Sequence, residues 1–270
     1  MSNEIKKLFE NTKNSSSKWE KYFDIYENIF SKYKDKDITF VEIGVHNGGS
    51  LGIWRQYFSK NLKIIGIDIN NECKKFEDKE NNIEIFIGNQ SDENFWNFFF
   101  KKVGKVDIIL DDGGHTNLNQ IITTACTIKN INDGGVLLIE DAHTSYMPHY
   151  NSQIKQSFIN FSKKIIDDIN FKNQANLGKF NFSLNEHVNS IQFFESIVVF
   201  FVDRKKTKMN AMVKNEGKDH NVEDLTWEGN SINIETFKKF LDKIPFFSFK
   251  KFMKKQANKT NIKYLKKYFK

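Results

Sequence analysis

Short apolar runs rich in β-branched residues recur along the chain, each closed by glycine or an acid and followed by an amphipathic stretch. Ile38–Ile43, Leu62–Ile67, Ile83–Ile87, Val106–Leu110 and Val136–Ile139 read as strands buried on both faces, the pattern of a parallel sheet. Helices are predicted between them, from about Ser50 to Phe58, through Phe95–Lys102 and near Leu118–Lys129. Ahead of the first strand, Trp19, Tyr22, Phe23, Tyr26, Ile29 and Phe30 fall at helical spacing. They predict a helix over Trp19–Tyr33 capped by Ser17, with its aromatic residues in the core, although Tyr22 could reach over a bound cofactor. Ser152–Ile169 reads as a further helix. Ser190–Phe194 and Ile197–Val202, split by Glu195-Ser196, read as a closing antiparallel hairpin.

This alternation predicts an α/β fold, a doubly wound, mostly parallel sheet of about seven strands. Residues 1–37 form an N-terminal helical segment whose first 17 residues are polar and expected to fray. Residues 38–204 form the sheet domain, and residues 205–270 a polar loop followed by a basic helical extension.

At 39% hydrophobic and 14% aromatic residues, the 270-residue chain can build a real core. Its net charge of +7 is concentrated late, since Phe237–Lys270 contains Asp242 as its single acid. Such a tail suits phosphate, nucleic acid, weak contact with a membrane surface, or simply a solvated helical face. Cys73 and Cys126 lie in unrelated segments, which excludes a disulfide framework and a thiolate metal site and fits a reduced, cytoplasmic setting. No apolar run reaches transmembrane length, and Met1–Lys13 lacks the apolar region of a signal peptide.

The candidate chemistry sits where strands end. Val106–Leu110 runs into Asp111-Asp112-Gly113-Gly114-His115, and Val136–Ile139 into Glu140-Asp141-Ala142-His143. Open α/β sheets bind ligands beyond the carboxyl ends of their strands, so one edge receives four carboxylates and two imidazoles. The first strand ends in Glu42-Ile43-Gly44-Val45-His46-Asn47-Gly48-Gly49. That is not the G-x-G-x-x-G of a dinucleotide loop, and Glu42 repels phosphate. An acid beside a glycine turn suits a cationic ligand, and S-adenosyl-L-methionine, with its positive amino and sulfonium groups, fits. Asp68 at the second strand end is placed for the ribose hydroxyls, and Asn89, Gln90 and Ser91 after the third for the adenine.

The words EIGVHNGGS (Glu42–Ser50), GIDI (Gly66–Ile69), GNQSD (Gly88–Asp92), DDGGH (Asp111–His115) and IEDAHTSY (Ile139–Tyr146) carry a resemblance. Phe40–Tyr146 resembles the class I S-adenosylmethionine-dependent methyltransferases. It is most similar in kind to the metal-dependent sugar O-methyltransferases of macrolide biosynthesis, of the macrocin and mycinamicin type, and to the related cephalosporin-hydroxylase-like proteins. Residues 38–204 then constitute the methyl-donor domain. Asn89 departs from the family's usual Asp, and nothing beyond Arg204 matches the pattern.

Hard divalent ions such as Mg²⁺ take oxygen ligands, and Asp112, Glu140 and Asp141 supply three carboxylates from two strand ends. The resemblance implies the same three positions. It also implies that His115 is the base that removes a proton from a metal-bound sugar hydroxyl. Asp111 faces the methionine moiety or orients the loop, although Asp111 and Asp112 are interchangeable in these roles by sequence. His143 either supports the metal site or binds the acceptor.

The expected function is therefore methyl transfer to a sugar hydroxyl, on a nucleotide sugar, a bacterial surface polysaccharide or a glycosylated metabolite. Two alternatives stand beside it. One is a nucleic-acid- or glycan-binding protein with a non-catalytic core, and the other a cephalosporin-hydroxylase-like enzyme. Nucleic acid is the weaker partner, and a homo-oligomer could form through the tail and N-terminal helix.

Overall fold

The computed structural model describes residues 3–150, 154–171, 183–208, 211–218, 220 and 222. The chain divides into two units, Met1–Ala211 and Met212–Lys270, and everything that follows belongs to the first. The basic tail Phe237–Lys270 lies outside the described residues, as does most of the Phe171–Asn189 connector.

Seven strands form one sheet: β1 (Thr39–Ile43), β2 (Lys63–Asp68), β3 (Ile83–Ile87), β4 (Val106–Asp111), β5 (Ile131–Ile139), β6 (Val188–Phe193) and β7 (Val198–Val202). Their order is β3-β2-β1-β4-β5-β7-β6. The first five run parallel, and β7 is antiparallel to both β5 and β6. The winding reverses between β1 and β4, where Ile43 pairs with Asp111. That reversal opens a crevice at the carboxyl ends of the two strands.

Among the described residues, six α-helices cover the faces: α1 (Glu4–Glu10), α2 (Tyr22–Phe30), α3 (Gly49–Tyr57), α4 (Glu93–Val103), α5 (Asn117–Thr127) and α6 (Phe158–Phe171). Strand residues alternate between two cores, as period-2 geometry requires. Phe40, Leu110, Val136 and Leu138 pack with α2 and α3 around Phe30, Trp54 and Phe58. Val41, Ile109, Leu137 and Ile139 pack on the other face with Trp96 and Phe99 of α4 and Phe158 of α6. These aromatic residues are fully buried, and truncating one such Phe to Ala costs about 3–5 kcal/mol.

The structure corrects the N-terminal reading. Residues 4–10 are helical rather than frayed, because the Asn3 side chain accepts from Lys6 N, Ile5 is buried, and α1 packs on α3. The next helix begins at Tyr22, not Trp19, and Ser17 does not cap it. Residues 14–18 form no regular element and run over the strand ends, leaving Trp19 62% exposed rather than in the core. β5 is also longer than expected, taking in Asn132–Gly135 by way of a positive φ at Gly134 and a register shift against β4. Among the described residues, no helix is long and apolar enough to cross a membrane.

Candidate active site

Two cavities open at the carboxyl edge of the sheet. The first, about 760 Å³, is lined by the turns after β1, β2, β3 and β4 and by Ser15–Ser17 of the N-terminal segment. Gly44 lines it with φ of +95°, whereas Gly48, with φ of +72°, closes the same turn without lining the cavity. A Cβ on Gly44 would lie 2.1 Å from the Asp112 carbonyl oxygen, and one on Gly48 2.8 Å from the Phe76 ring. Only glycine meets both demands, positive φ and close approach.

Asp68 lines this cavity and accepts from His46 N at 3.0 Å and Asn70 N at 2.8 Å, one bond to each carboxylate oxygen. A lone pair on each remains for a pair of hydroxyls. Asn47 also lines it and donates to Ser15 Oγ at 2.9 Å. Asn89 holds the following turn by accepting from Ser91 N, while Ser91 Oγ accepts from Asn119. Glu42 is fully buried and accepts from Ser50 Oγ at 2.8 Å, and Ser50 lines the cavity.

Gln90 and Asp111 bind each other. Gln90 Nε2 donates to both Asp111 oxygens and to Thr123 Oγ1, and its Oε1 accepts from Gly114 N. Together they brace the DDGGH turn from inside. Of the two neighbouring aspartates, Asp112 is the one that reaches the acidic cluster.

That cluster lies between the cavities. Asp112, His115 and Asp141 each offer a ligand atom within 4.8 Å of the others. His115 Nε2 is 3.8 Å from Asp112 Oδ1 and 3.5 Å from Asp141 Oδ2. Glu140 stands beside them, held by two donor groups: Lys18 Nζ at 3.0 Å from each oxygen, and Tyr26 OH at 2.5 Å. Lys18 also reaches Asp112 Oδ2 at 2.5 Å, and Tyr22 OH donates to Asp141 Oδ1 at 2.6 Å.

The second cavity, about 800 Å³, has apolar walls that include Trp19, Tyr146, Met147 and Phe193. His143 faces it and stands 3.8 Å from Asp141 Oδ1 through Nδ1.

No family model matches the chain. It is 29% identical over 169 residues to an 8-demethyl-8-alpha-L-rhamnosyl tetracenomycin-C 2'-O-methyltransferase of Streptomyces olivaceus, covering 58% of this chain and 44% of that one. It is 31% identical over 135 residues to a mycinamicin VI 2''-O-methyltransferase of Micromonospora griseorubida, covering 47% and 33%. The chain thus spans less than half the length of these curated relatives. Among solved structures it superposes on the MycE methyltransferase of the mycinamycin biosynthetic pathway, in complex with Mg and SAH. The TM-score is 0.68 at 21% identity, over 80% of this chain and 57% of that one. The fold is the Rossmann-like methyltransferase fold.

In this methyltransferase fold, burial governs the electrostatics of the acids. Burial pushes Glu42 up to about 7, against the pull of Lys18 and Ser50. Burial likewise raises Asp111 to about 6, with Gln90 and Gly113 N opposing. Glu140 lies well above its ordinary range, because burial and the nearby Asp112 charge outweigh Lys18 and Tyr26. Burial works against the Lys18 ammonium, but Glu140, Asp112 and Glu42 raise its pKa above the ordinary lysine value.

Reading the sequence alone missed Lys18 altogether and placed Tyr22 and Tyr26 as core aromatics. The rings are buried, yet their hydroxyls serve Asp141 and Glu140. The one available signal was their i, i+4 spacing, which puts both hydroxyls on one helix face.

Proposed function

We propose that the chain is an S-adenosylmethionine-dependent, divalent-metal-dependent O-methyltransferase acting on a sugar hydroxyl. The observation that carries this reading is a juxtaposition. The glycine turn with Asp68, suited to a cationic nucleoside, and the Asp112–His115–Asp141 cluster share the β1–β4 edge of one sheet. The donor set fits a hard ion, with two carboxylates in reach and Glu140 adjacent. When bound, S-adenosylmethionine supplies an electrophilic methyl group and the ion acidifies a coordinated hydroxyl.

The chain's own residues do the rest. Asp68 holds the ribose hydroxyls, and Gly44 lets backbone approach the methionine end. Asp112 and Asp141, with Glu140 when it is released, hold the ion. His115 Nε2 accepts the hydroxyl proton as the oxygen takes the methyl from the sulfonium, whose sulfur leaves as a neutral thioether, and His143 orients the acceptor from the second cavity. The aromatic walls of that cavity suit the C–H faces of a pyranose.

The relatives named above are sugar O-methyltransferases, which supports the acceptor class. A nucleotide-linked sugar or an anionic bacterial surface polysaccharide would match the net charge of +7. Hydroxylase chemistry of the non-haem iron type calls for two histidines and one carboxylate. The cluster found among the described residues holds one histidine and two carboxylates.

Calorimetric titration of S-adenosylmethionine, beside an Asp68→Ala control, tests the reading, followed by acceptor screening with Mg²⁺ and with chelator. Binding lost in the control and transfer restored by Mg²⁺ are expected. A folded protein that binds no S-adenosylmethionine rejects the proposal.

A further inference from the structure

The N-terminal segment carries a cation of its own into the acidic cluster. The Lys18 side chain is 3% exposed, and its ammonium meets three carboxylate oxygens, Asp112 Oδ2 and both of Glu140, at 2.5–3.0 Å. The Tyr26 ring lies 5.8 Å away on a further side. An ammonium so surrounded directs its three donors at three oxygens and satisfies carboxylates that burial would otherwise leave uncompensated.

These are also oxygens that a divalent ion would claim. An ion bound at 2.0–2.6 Å from Asp112 and Glu140 cannot coexist with an ammonium already in contact with both, for reasons of space and of charge. We propose that Lys18 is a tethered counter-cation of this centre. Its ammonium and a divalent ion are alternative occupants of the Asp112 and Glu140 carboxylates, and loading the ion expels Lys18 from between them. The inference rests on the metal-binding part of the function proposed above.

Displacement of Lys18 has a structural consequence, because its neighbours belong to both cavities. Ser15–Ser17 line the first, and Trp19, Glu20, Lys21 and Tyr22 line the second. The start of the segment is fixed to α3 and the turn before it, since Thr12 Oγ1 donates to the Gly49 carbonyl and Ser15 Oγ accepts from Asn47. The end is fixed by α2. Between these anchors Lys18 is the buried tie to the acidic cluster, alongside Trp19 set edge-on to the His143 ring and Lys21 paired with Glu195 at the surface, so metal loading loosens a wall that the methyl-donor and acceptor cavities share.

The test uses the full chain and Mg²⁺ alone, titrated by calorimetry into the wild type, Lys18→Met and Lys18→Arg. Met keeps length without charge, whereas Arg keeps the charge. Lys18→Met is expected to bind Mg²⁺ at least about tenfold more tightly than the wild type, and Lys18→Arg to stay as weak as the wild type. Lys18→Met should also melt lower in chelator and recover in Mg²⁺, and it can be prepared in Mg²⁺ throughout. An affinity in Lys18→Met equal to or below that of the wild type overturns the proposal.

A second measurement needs no variant. Amide exchange of residues 15–21 in the wild type should quicken on saturation with Mg²⁺, and unchanged protection overturns the proposal. Titrating S-adenosylmethionine into the same samples separates the two failures. Retained binding with no effect of Lys18 on Mg²⁺ rejects this inference alone. Loss of both ligands in folded protein rejects it together with the methyl-transfer reading.

Discussion

Gly44→Ala probes how closely the methyl-donor turn and the acidic loop are built against each other. Gly44 has φ +95°, a conformation that costs an alanine about 1–2 kcal/mol. The added Cβ would stand 2.1 Å from the Asp112 carbonyl oxygen, 2.7 Å from its carbon and 3.2 Å from Gly113 Cα. All three are backbone atoms, so no rotamer change relieves the contact. The loop is also tied in place, with Asp112 N donating to the Ile43 carbonyl at 3.0 Å and Gly44 N to that of Ile67 at 2.8 Å. Restoring ordinary carbon–oxygen separation requires Asp112 to retreat by about 1 Å.

The stability loss, strain and clash together, is expected near 3 kcal/mol. The displaced carboxylate is the one that meets Lys18 and lies 3.8 Å from His115. A misplacement of about 1 Å at a reacting centre lowers turnover by about 100-fold. Urea denaturation with an unchanged slope, together with kcat/KM for methyl transfer corrected for the folded fraction, reads both effects. A variant within about 0.5 kcal/mol of the wild type that binds Mg²⁺ and S-adenosylmethionine equally well would refute the close-packing argument.

Glu42→Gln should flatten the pH dependence of stability. The folded carboxyl titrates near 7 against an ordinary 4.5, so between those values the native state keeps a proton that the unfolded chain has lost. The benefit is complete below about pH 4.5 and disappears as pH rises through 7, amounting to about 3 kcal/mol. Denaturation at pH 5 and pH 8 checks this, and an unchanged slope in the variant rejects it. His115→Gln should lower methyl transfer by about 10²–10⁴-fold while S-adenosylmethionine binding persists, and a wild-type single-turnover rate would exclude His115 as the base. Tyr26→Phe removes the hydroxyl that donates to buried Glu140 and should cost about 1–3 kcal/mol, read as a lowered melting temperature in chelator. An unchanged melting temperature would mean that Lys18 alone satisfies Glu140.

The sheet was legible because its strands are buried on both faces, so Val106–Leu110 and Val136–Ile139 announce themselves as unbroken apolar runs. The front of β5 was not, because Asn132-Asp133-Gly134-Gly135 has the composition of a turn. What keeps it in the ladder is tertiary. Asp107 accepts from Thr39 N and Asn132 Nδ2, and Arg204 donates to Asp133 and to the Ile131 carbonyl. Helix α1 escaped notice for a similar reason, since seven residues are too few for a periodic signal and its stability comes from packing on α3. That Asp112, Glu140 and Asp141 lie at one edge could be read in advance because a parallel sheet fixes where its strands end, but the group brought within ligand distance is Asp112, His115 and Asp141, with Glu140 turned to Lys18 and Tyr26. Lys18, Tyr22 and Tyr26 could not be read as their partners, because more than 90 residues separate each from the acids it meets.

Local backbone geometry explains how two consecutive acids come to serve one site. Along a strand, neighbouring side chains point to opposite faces. Val136 and Leu138 face the α2 side, so Glu140 continues that face and meets Tyr26. Asp141 would by the same rule point away, yet its carboxylate accepts from Tyr22, one turn earlier on the same helix. The chain achieves this with a left-handed residue, Asp141 at φ +52°, which breaks the alternation at the strand end. Aspartate tolerates that conformation better than most residues. His46 at φ +47° and His115 at φ +54° occupy equivalent turns after β1 and β4. Among the described residues, four of the five non-glycine positions with positive φ, these three and Ser196, therefore border the candidate site. At Asp141 the hydroxyls of Tyr22 and Thr144 close the turn, and at His115 Thr144 Oγ1 reaches the backbone carbonyl. The strain is thus concentrated where an ordinary strand-to-helix turn would have sent these side chains to opposite sides of the sheet.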